Sequence, residues 1–251
     1  MKFPALRQGT LVKRYKRFLA DIRLPDGKVI TVHCPNTGAM KGCATPGWRA
    51  WYSVSDNRAR KYPGTWELVM NEDGHYIGVN TANANRLVHE ALNQGWISEL
   101  SGYRSIRAEQ LYGRPGPNHQ SSRVDFLLSG HARRKADCFV EVKSVTLLTD
   151  TKSEGATSGT GQFPDAVTDR GTRHLKQLMA VKASGGRAVL LYCVQHTGIG
   201  LVRPAWQVDP VYAHTLKAAR AAGVEVLAYG VRMDSDGAEL VKRLPVRMGR
   251  G

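Results

Sequence analysis

Hydrophobic and polar positions change rhythm near residue 80. Before it no stretch keeps a helical period, and short alternating runs broken by turn residues predict a small antiparallel β unit. Residues 10–24 read as one bent strand, Pro25-Asp26-Gly27 as a hairpin turn and residues 28–33 as its return. Residues 48–54 and 65–70, then 75–79 after the turn at Asn71-Glu72-Asp73-Gly74, supply the other strands of a five-stranded barrel.

Beyond Asn80 the period lengthens. Residues 85–92 predict a helix with Leu87 and Ala91 on one face and Asn80 or Thr81 as its cap. Strand-like runs follow at 103–111, 123–128 and 138–147, then a helix over 170–183, a buried strand over 187–195, a helix over 210–222 and a strand over 224–231. That order, α-β-β-β-α-β-α-β, predicts an α/β (α+β) domain with a mixed central sheet over residues 81–251, after a barrel over 1–80. The stretch between Leu148 and Asp169 is rich in Ser, Thr and Gly and too long for an ordinary connection, so it reads as disordered or as a flap. The Arg-Gly ending reads as a loose tail.

Composition adds a partner. With 42% apolar residues and a mean hydropathy of -0.35 a packed core is expected. A net charge of +15 and a pI near 9.9 exceed the level of about 9 at which nucleic acid becomes the natural partner. The charge is densest in the first 80 residues, which carry 13 Lys and Arg against 6 Asp and Glu. Lys13, Arg14, Lys16 and Arg17 surround Tyr15 and Phe18, and Arg58, Arg60 and Lys61 adjoin Tyr62. Basic side chains hold phosphates while aromatic faces stack on bases, which suits single strands or irregular nucleic acid, DNA with RNA not excluded. A solvated strand face with aromatics turned inward explains the same pattern.

Other classes recede. The four cysteines form no C-x-x-C pair, and His33-Cys34 with Cys43 lacks a fourth ligand at fixed spacing. No signal peptide and no apolar window of membrane-spanning length is found, so a cytoplasmic protein without a membrane partner is expected. The glycines between 155 and 161 lack the Lys-Ser/Thr ending of a phosphate loop. A helix-turn-helix reader over 216–224 conflicts with the strand that begins at Val224. Oligomeric state is left open.

Chemistry concentrates in Val140-Glu141-Val142-Lys143, where strand alternation puts Glu141 and Lys143 on one face. An acid and an ammonium inside an apolar strand are costly unless paired or used. The preceding strand carries Asp125 in Arg123-Val124-Asp125-Phe126. Two carboxylates on neighbouring strands form a hard oxygen site for Mg2+ (or Mn2+), and Lys143 adds a second electrophile for a phosphodiester. A plain cross-strand salt bridge uses the same residues. Arg170 and His174, four apart on a helix, hold phosphate or form its polar surface. Asn36-Thr37-Gly38 approaches the site or marks a turn, and Asp165 is a flap ligand or, preferably, a helix cap.

Asp125 followed by Glu141-Val142-Lys143, with a helix before and a helix and strand after, resembles the PD-(D/E)XK nuclease core. Val124 stands where that motif has proline, and Pro164-Asp165 comes too late to replace it. The blocks GTLVKRY, HCPNTGAM, GVNTANANRLVHEAL, SRVDFLL, FVEVKSVTL and FPDAVTDRGTRHLKQL, in that order, resemble the sugar fermentation stimulation protein A family. The resemblance implies an OB-like barrel, a C-terminal nuclease-like domain and DNA binding. In such cores a helix acid often adds a metal ligand, which points to Glu90. Residues 147–162 are longer and more polar than the family's usual connection. Two functions therefore stand: a metal-dependent phosphodiesterase, or a non-enzymatic DNA-binding regulator of sugar (maltose) metabolism on a nuclease scaffold.

Overall fold

The computed structural model describes residues 1–112, 122–133, 135–150 and 158–249. Of the stretch between Leu148 and Asp169 read above as disordered or a flap, residues 151–157 lie outside the described residues, as does the final Arg-Gly pair, while Leu147–Asp150 and Gly159–Phe163 on either side form paired antiparallel strands.

The first unit is a closed barrel of β1 (Leu6–Tyr15), β2 (Leu19–Arg23), β3 (Val29–His33), β4 (Arg49–Val54) and β5 (Gly64–Met70), with β6 (Tyr76–Gly78) added along β5. A parallel contact between His33 of β3 and Thr65 of β5 closes it. Inside, Leu11, Ile22, Val32, Trp66 and Val69 pack together. The predicted bent strand over 10–24 is in fact two strands. Tyr15 pairs with Leu19, and Lys16 and Arg17 turn the chain with φ of 50° and 65°. Left-handed backbone is unfavourable for residues with a Cβ, which is why no turn was evident there.

The second unit opens with α1 (Ala82–Asn93) and a helical turn at Ser98–Leu100. A mixed six-stranded sheet follows, built from β7 (Tyr103–Tyr112), β8 (Ser122–His131), β9 (Cys138–Val145), β12 (Arg187–Val194), β14 (Glu225–Met233) and β15 (Ala238–Arg243) in the order β15-β14-β12-β9-β8-β7. Between them lie α2 (Asp169–Ala183), α3 (Pro210–Ala221) and a small sheet of β10 (Leu147–Asp150), β11 (Gly159–Phe163) and β13 (Ile199–Pro204).

Beyond Arg187, strand β12 is apolar because both of its faces are covered. Val189, Leu191 and Cys193 pack with α1 residues and with Trp51 and Leu68 of the barrel. Leu190, Tyr192 and Val194 pack with Leu175 and Leu178 of α2 and Leu216 of α3. Barrel and sheet therefore share a core. The helix-turn-helix reading fails: α3 buries Tyr212, Ala213, Leu216 and Ala219 and leads directly into β14. Among the described residues no helix is long and apolar enough to cross a membrane.

Candidate functional site

The ladder between β8 and β9 runs from Leu128↔Cys138 to Phe126↔Val140 and stops one residue short of Asp125. There the Asp125 side chain takes over, Oδ2 accepting from the Val142 backbone N–H at 2.7 Å. Asp125 Oδ1 accepts from Asn85 Nδ2 of α1 at 2.9 Å. On β9, alternation sends Val140 and Val142 into the core beneath α1, while Glu141 meets α2. Glu141 is 2% exposed. Its Oε1 accepts from Lys143 Nζ at 2.6 Å and is in close contact with His174 Nδ1. A proton on Nδ1 serves that contact and leaves Nε2 to accept from Arg170 Nε at 3.5 Å. The other oxygen, Glu141 Oε2, is buried without a hydrogen-bond partner.

The two acids are pushed in opposite directions. Burial and the nearby Glu141 charge raise the pKa of Asp125, and the bonds from Val142 and Asn85 only partly oppose this. Burial also works to raise Glu141, but the His174 hydrogen bond and the Lys143 charge outweigh it and hold Glu141 below the ordinary carboxylate range. A bare carboxylate oxygen near a second, half-buried carboxylate is a hard donor set suited to a divalent cation. The residues present therefore fit the metal that the nuclease resemblance implies. Among the described residues no three or more His, Cys, Asp or Glu cluster as a metal site, so such an ion would complete its shell with water.

A cleft of about 270 Å³ opens beside the pair, with Asn85, Lys143, Gln162 and Asp165 on one side and Asn36, Thr37 and Gly38 of the barrel on the other. Asp125 and Glu141 do not themselves line it, but their partners Asn85 and Lys143 do. Asn36-Thr37-Gly38 both makes a turn, Asn36 Oδ1 accepting from Gly38 N at 2.9 Å, and lines the cleft.

Several expected residues do other work. Glu90 is not brought to the pair; its carboxylate is 2.5 Å from the Met1 amino group. It lies five residues after Asn85, about 140° further round α1, and Asn85 is the α1 side chain at Asp125. Asp165 is not a cap. Thr168 caps α2 through Gly171 N at 3.0 Å, while Asp165 Oδ2 accepts from Met40 N of the barrel at 2.8 Å. Arg14 is not free for phosphate, since its Nη2 donates to the carbonyls of Arg17, Asn36 and Gly38 at 2.7–2.9 Å. Lys16 and Arg17 are exposed at the hairpin tip. Lys13 lies 3.7 Å from Asp21 and over the Tyr15 ring. In the β4–β5 loop Arg58 and Lys61 are exposed, Lys61 over Tyr62, and Arg60 donates to Thr65. Cys34 and Cys43 are packed in the barrel core, the latter's pKa pushed up to about 12 by burial.

A buried network unseen in the sequence joins barrel to site. Glu67 of β5 accepts from Ser53, Asn80 and Asn83 at 2.8–3.0 Å, and Thr81 donates to Pro35 O at 2.8 Å. The run Asn80-Thr81-Ala82-Asn83-Ala84-Asn85 thus fastens the start of α1 to the barrel and aims its last asparagine at Asp125. Three asparagines within six residues were the available signal.

Comparison with known proteins matches this architecture. Residues 82–237 match the family described as sugar fermentation stimulation protein RE domain, and residues 12–79 match the SfsA N-terminal OB domain. A sugar fermentation stimulation protein homolog from Shewanella piezotolerans is 51% identical over 249 residues, covering 99% of this chain and 100% of that one. A solved structure of Pyrococcus furiosus SfsA in complex with Ca2+ is similar with a TM-score of 0.82 and 25% identity, over 98% of each chain. The chain belongs to the sugar fermentation stimulation protein family.

Proposed function

We propose that this protein binds nucleic acid, DNA in the first instance, and hydrolyses phosphodiester bonds with a divalent metal, Mg2+ or Mn2+, at Asp125, Glu141 and Lys143. The observation that carries the reading is Glu141 Oε2, a buried carboxylate oxygen without a hydrogen-bond partner near a second, half-buried acid, Asp125. Leaving such an atom bare is unfavourable unless a cation or an ordered water uses it, and the neighbouring acid favours the cation. The structural relative solved with Ca2+ supports an oxygen-ligand ion in this fold.

A bound metal would polarise the phosphoryl oxygen and favour ionisation of a water. Asp125 and Glu141 would hold it, with Asn85 and the Val142 amide fixing the Asp125 carboxylate. Lys143, lining the cleft, places an ammonium where negative charge develops on the phosphoryl group. His174 fixes Glu141, and Arg170 fixes His174. Lys16, Arg17, Arg58 and Lys61 add phosphate affinity from the barrel. We place the protein in the cytoplasm, in keeping with four free, buried cysteines.

The regulator reading keeps one observation in its favour: Asp125 and Lys143 are already partnered within the protein. End-labelled single-stranded, duplex and branched DNA and RNA, incubated with Mg2+, Mn2+ or EDTA, decide between them. Metal-dependent products that vanish in Asp125→Ala and Lys143→Ala establish the nuclease. Salt-sensitive binding without products from any substrate establishes the regulator.

A further inference from the structure

We infer that the cleft admits one nucleic-acid strand at a time, so that the substrate is a single strand or an unpaired end and intact duplex is excluded. For what is cut the inference rests on the function proposed above; for what enters, it rests on the cleft alone.

The barrel loop over 34–40 roofs the cleft and is fastened at several points. Met40 N donates to Asp165 Oδ2 at 2.8 Å. A Cβ on Gly38 would lie 2.8 Å from the same oxygen, so the loop approaches as closely as a backbone can. Thr81 ties down Pro35, and the Arg14 guanidinium holds the Asn36 and Gly38 carbonyls. A roof held from the C-terminal unit and from its own barrel does not lift cheaply. The cleft is open to solvent but narrow, its volume of about 270 Å³ being at the small end of ligand pockets, which run from about 300 Å³.

Duplex phosphates lie on a broad convex rod. To bring one under this roof to Lys143, a strand must leave the duplex, at a few kcal/mol in lost pairing and stacking. A strand that is already single escapes that penalty. The approach suits it too: Phe18, 47% exposed, stands at the hairpin tip with Lys16 and Arg17. The same tip abuts the roof, since Phe18 O accepts from Cys34 N at 2.7 Å and Arg17 O shares the Arg14 guanidinium with Asn36 and Gly38. An exposed ring next to two exposed cations is a stacking platform for a base of any sequence.

The test measures affinity of the full-length Asp125→Asn protein for single-stranded DNA, single-stranded RNA, blunt duplex and duplex with a single-stranded tail, beside wild-type cleavage of the same set. Either single strand and the tailed duplex should bind at least about tenfold more tightly than blunt duplex. Phe18→Ala, which alters only an exposed side chain, should lose about fivefold or more on single strands irrespective of sequence. Asp165→Ala, checked by its melting temperature, should shrink the preference by loosening the roof. Blunt duplex bound as tightly as single strand, no binding of any single strand, or a preference unchanged in both Phe18→Ala and a folded Asp165→Ala would overturn the inference. Preferential binding without cutting leaves the strand inference standing and removes the nuclease; ready cutting of blunt duplex does the reverse.

Discussion

The two charged clusters of this chain occupy opposite environments. At the barrel hairpin, Lys16 and Arg17 project into water from a turn. Where the C-terminal sheet meets α2, Glu141 and His174 lie buried and Lys143 half-buried, all bonded to one another. A solvated cation interacts with its neighbours through high dielectric and changes little when one of them is lost. A buried ion depends on its partners, because losing one leaves a charge with neither water nor counter-ion. Sequence density of charge thus says where a protein attracts a polyanion, whereas charge within an apolar run says where it does chemistry.

The largest effect is expected where that contrast is broken directly. Lys143→Met leaves Glu141 Oε1 with His174 alone, and unfolding in urea should show a loss of about 3 kcal/mol. Changing Glu141→Gln in the same protein should recover much of it, since the stranded charge is then gone. If the single variant is as stable as the parent, the pair is screened in solution and the contrast between the clusters fails.

Next comes a buried titratable group whose burial outweighs the help of the nearby Asp73 charge. His196 lies where the units meet, Nδ1 accepting from Gly198 N, its ring 5.7 Å from that of His75. Burial, and then the His75 charge, lower its pKa to about 4 from 6.5. The unfolded chain therefore takes up this proton near pH 6.5 and the folded chain only near 4. Stability from this group is full above the higher value and is lost as pH falls toward the lower one, by about 3 kcal/mol in all. His196→Asn should flatten the pH dependence of the urea midpoint in that window. Glu99, held down to about 2, acts only at lower pH.

What the sequence revealed follows from the range of the forces involved. Alternation is local, so the barrel strands and the both-faces-buried β12 could be read from neighbours in the chain. Asp125, Glu141 and Lys143 stood out because ions in apolar runs are unfavourable on any fold. The hairpin at Lys16-Arg17 was hidden because residues with a Cβ rarely supply positive φ. Asn85, Arg14 and Asp165 have roles set by partners distant in sequence: Asn85 reaches 40 positions to Asp125, and Asp165 reaches 125 positions to Met40. Nothing within a helical asparagine or a loop aspartate encodes that. Glu90 was assigned to the site by analogy and lies with Met1 instead, since its place on α1 turns it away.

The comparison is sharpest within the hairpin itself, where Arg14 and its neighbours Lys16 and Arg17 have the same charge and different surroundings. Arg14→Ala removes three charge-assisted bonds that shape the roof, so stability should fall by about 2 kcal/mol. Its effect on nucleic-acid affinity should come through the loop and should vary with the substrate's ability to enter the cleft. Lys16→Ala and Arg17→Ala should alter stability by less than about 0.5 kcal/mol. Each should instead lower affinity for all substrates alike and reduce the slope of log affinity against log salt by about one unit, the signature of one lost phosphate contact. A salt titration of the three variants separates the cases. Equal slope changes for Arg14 and Arg17 would mean that the Arg14 guanidinium leaves its carbonyls for phosphate, and that bonded and free-standing cations of one hairpin are interchangeable.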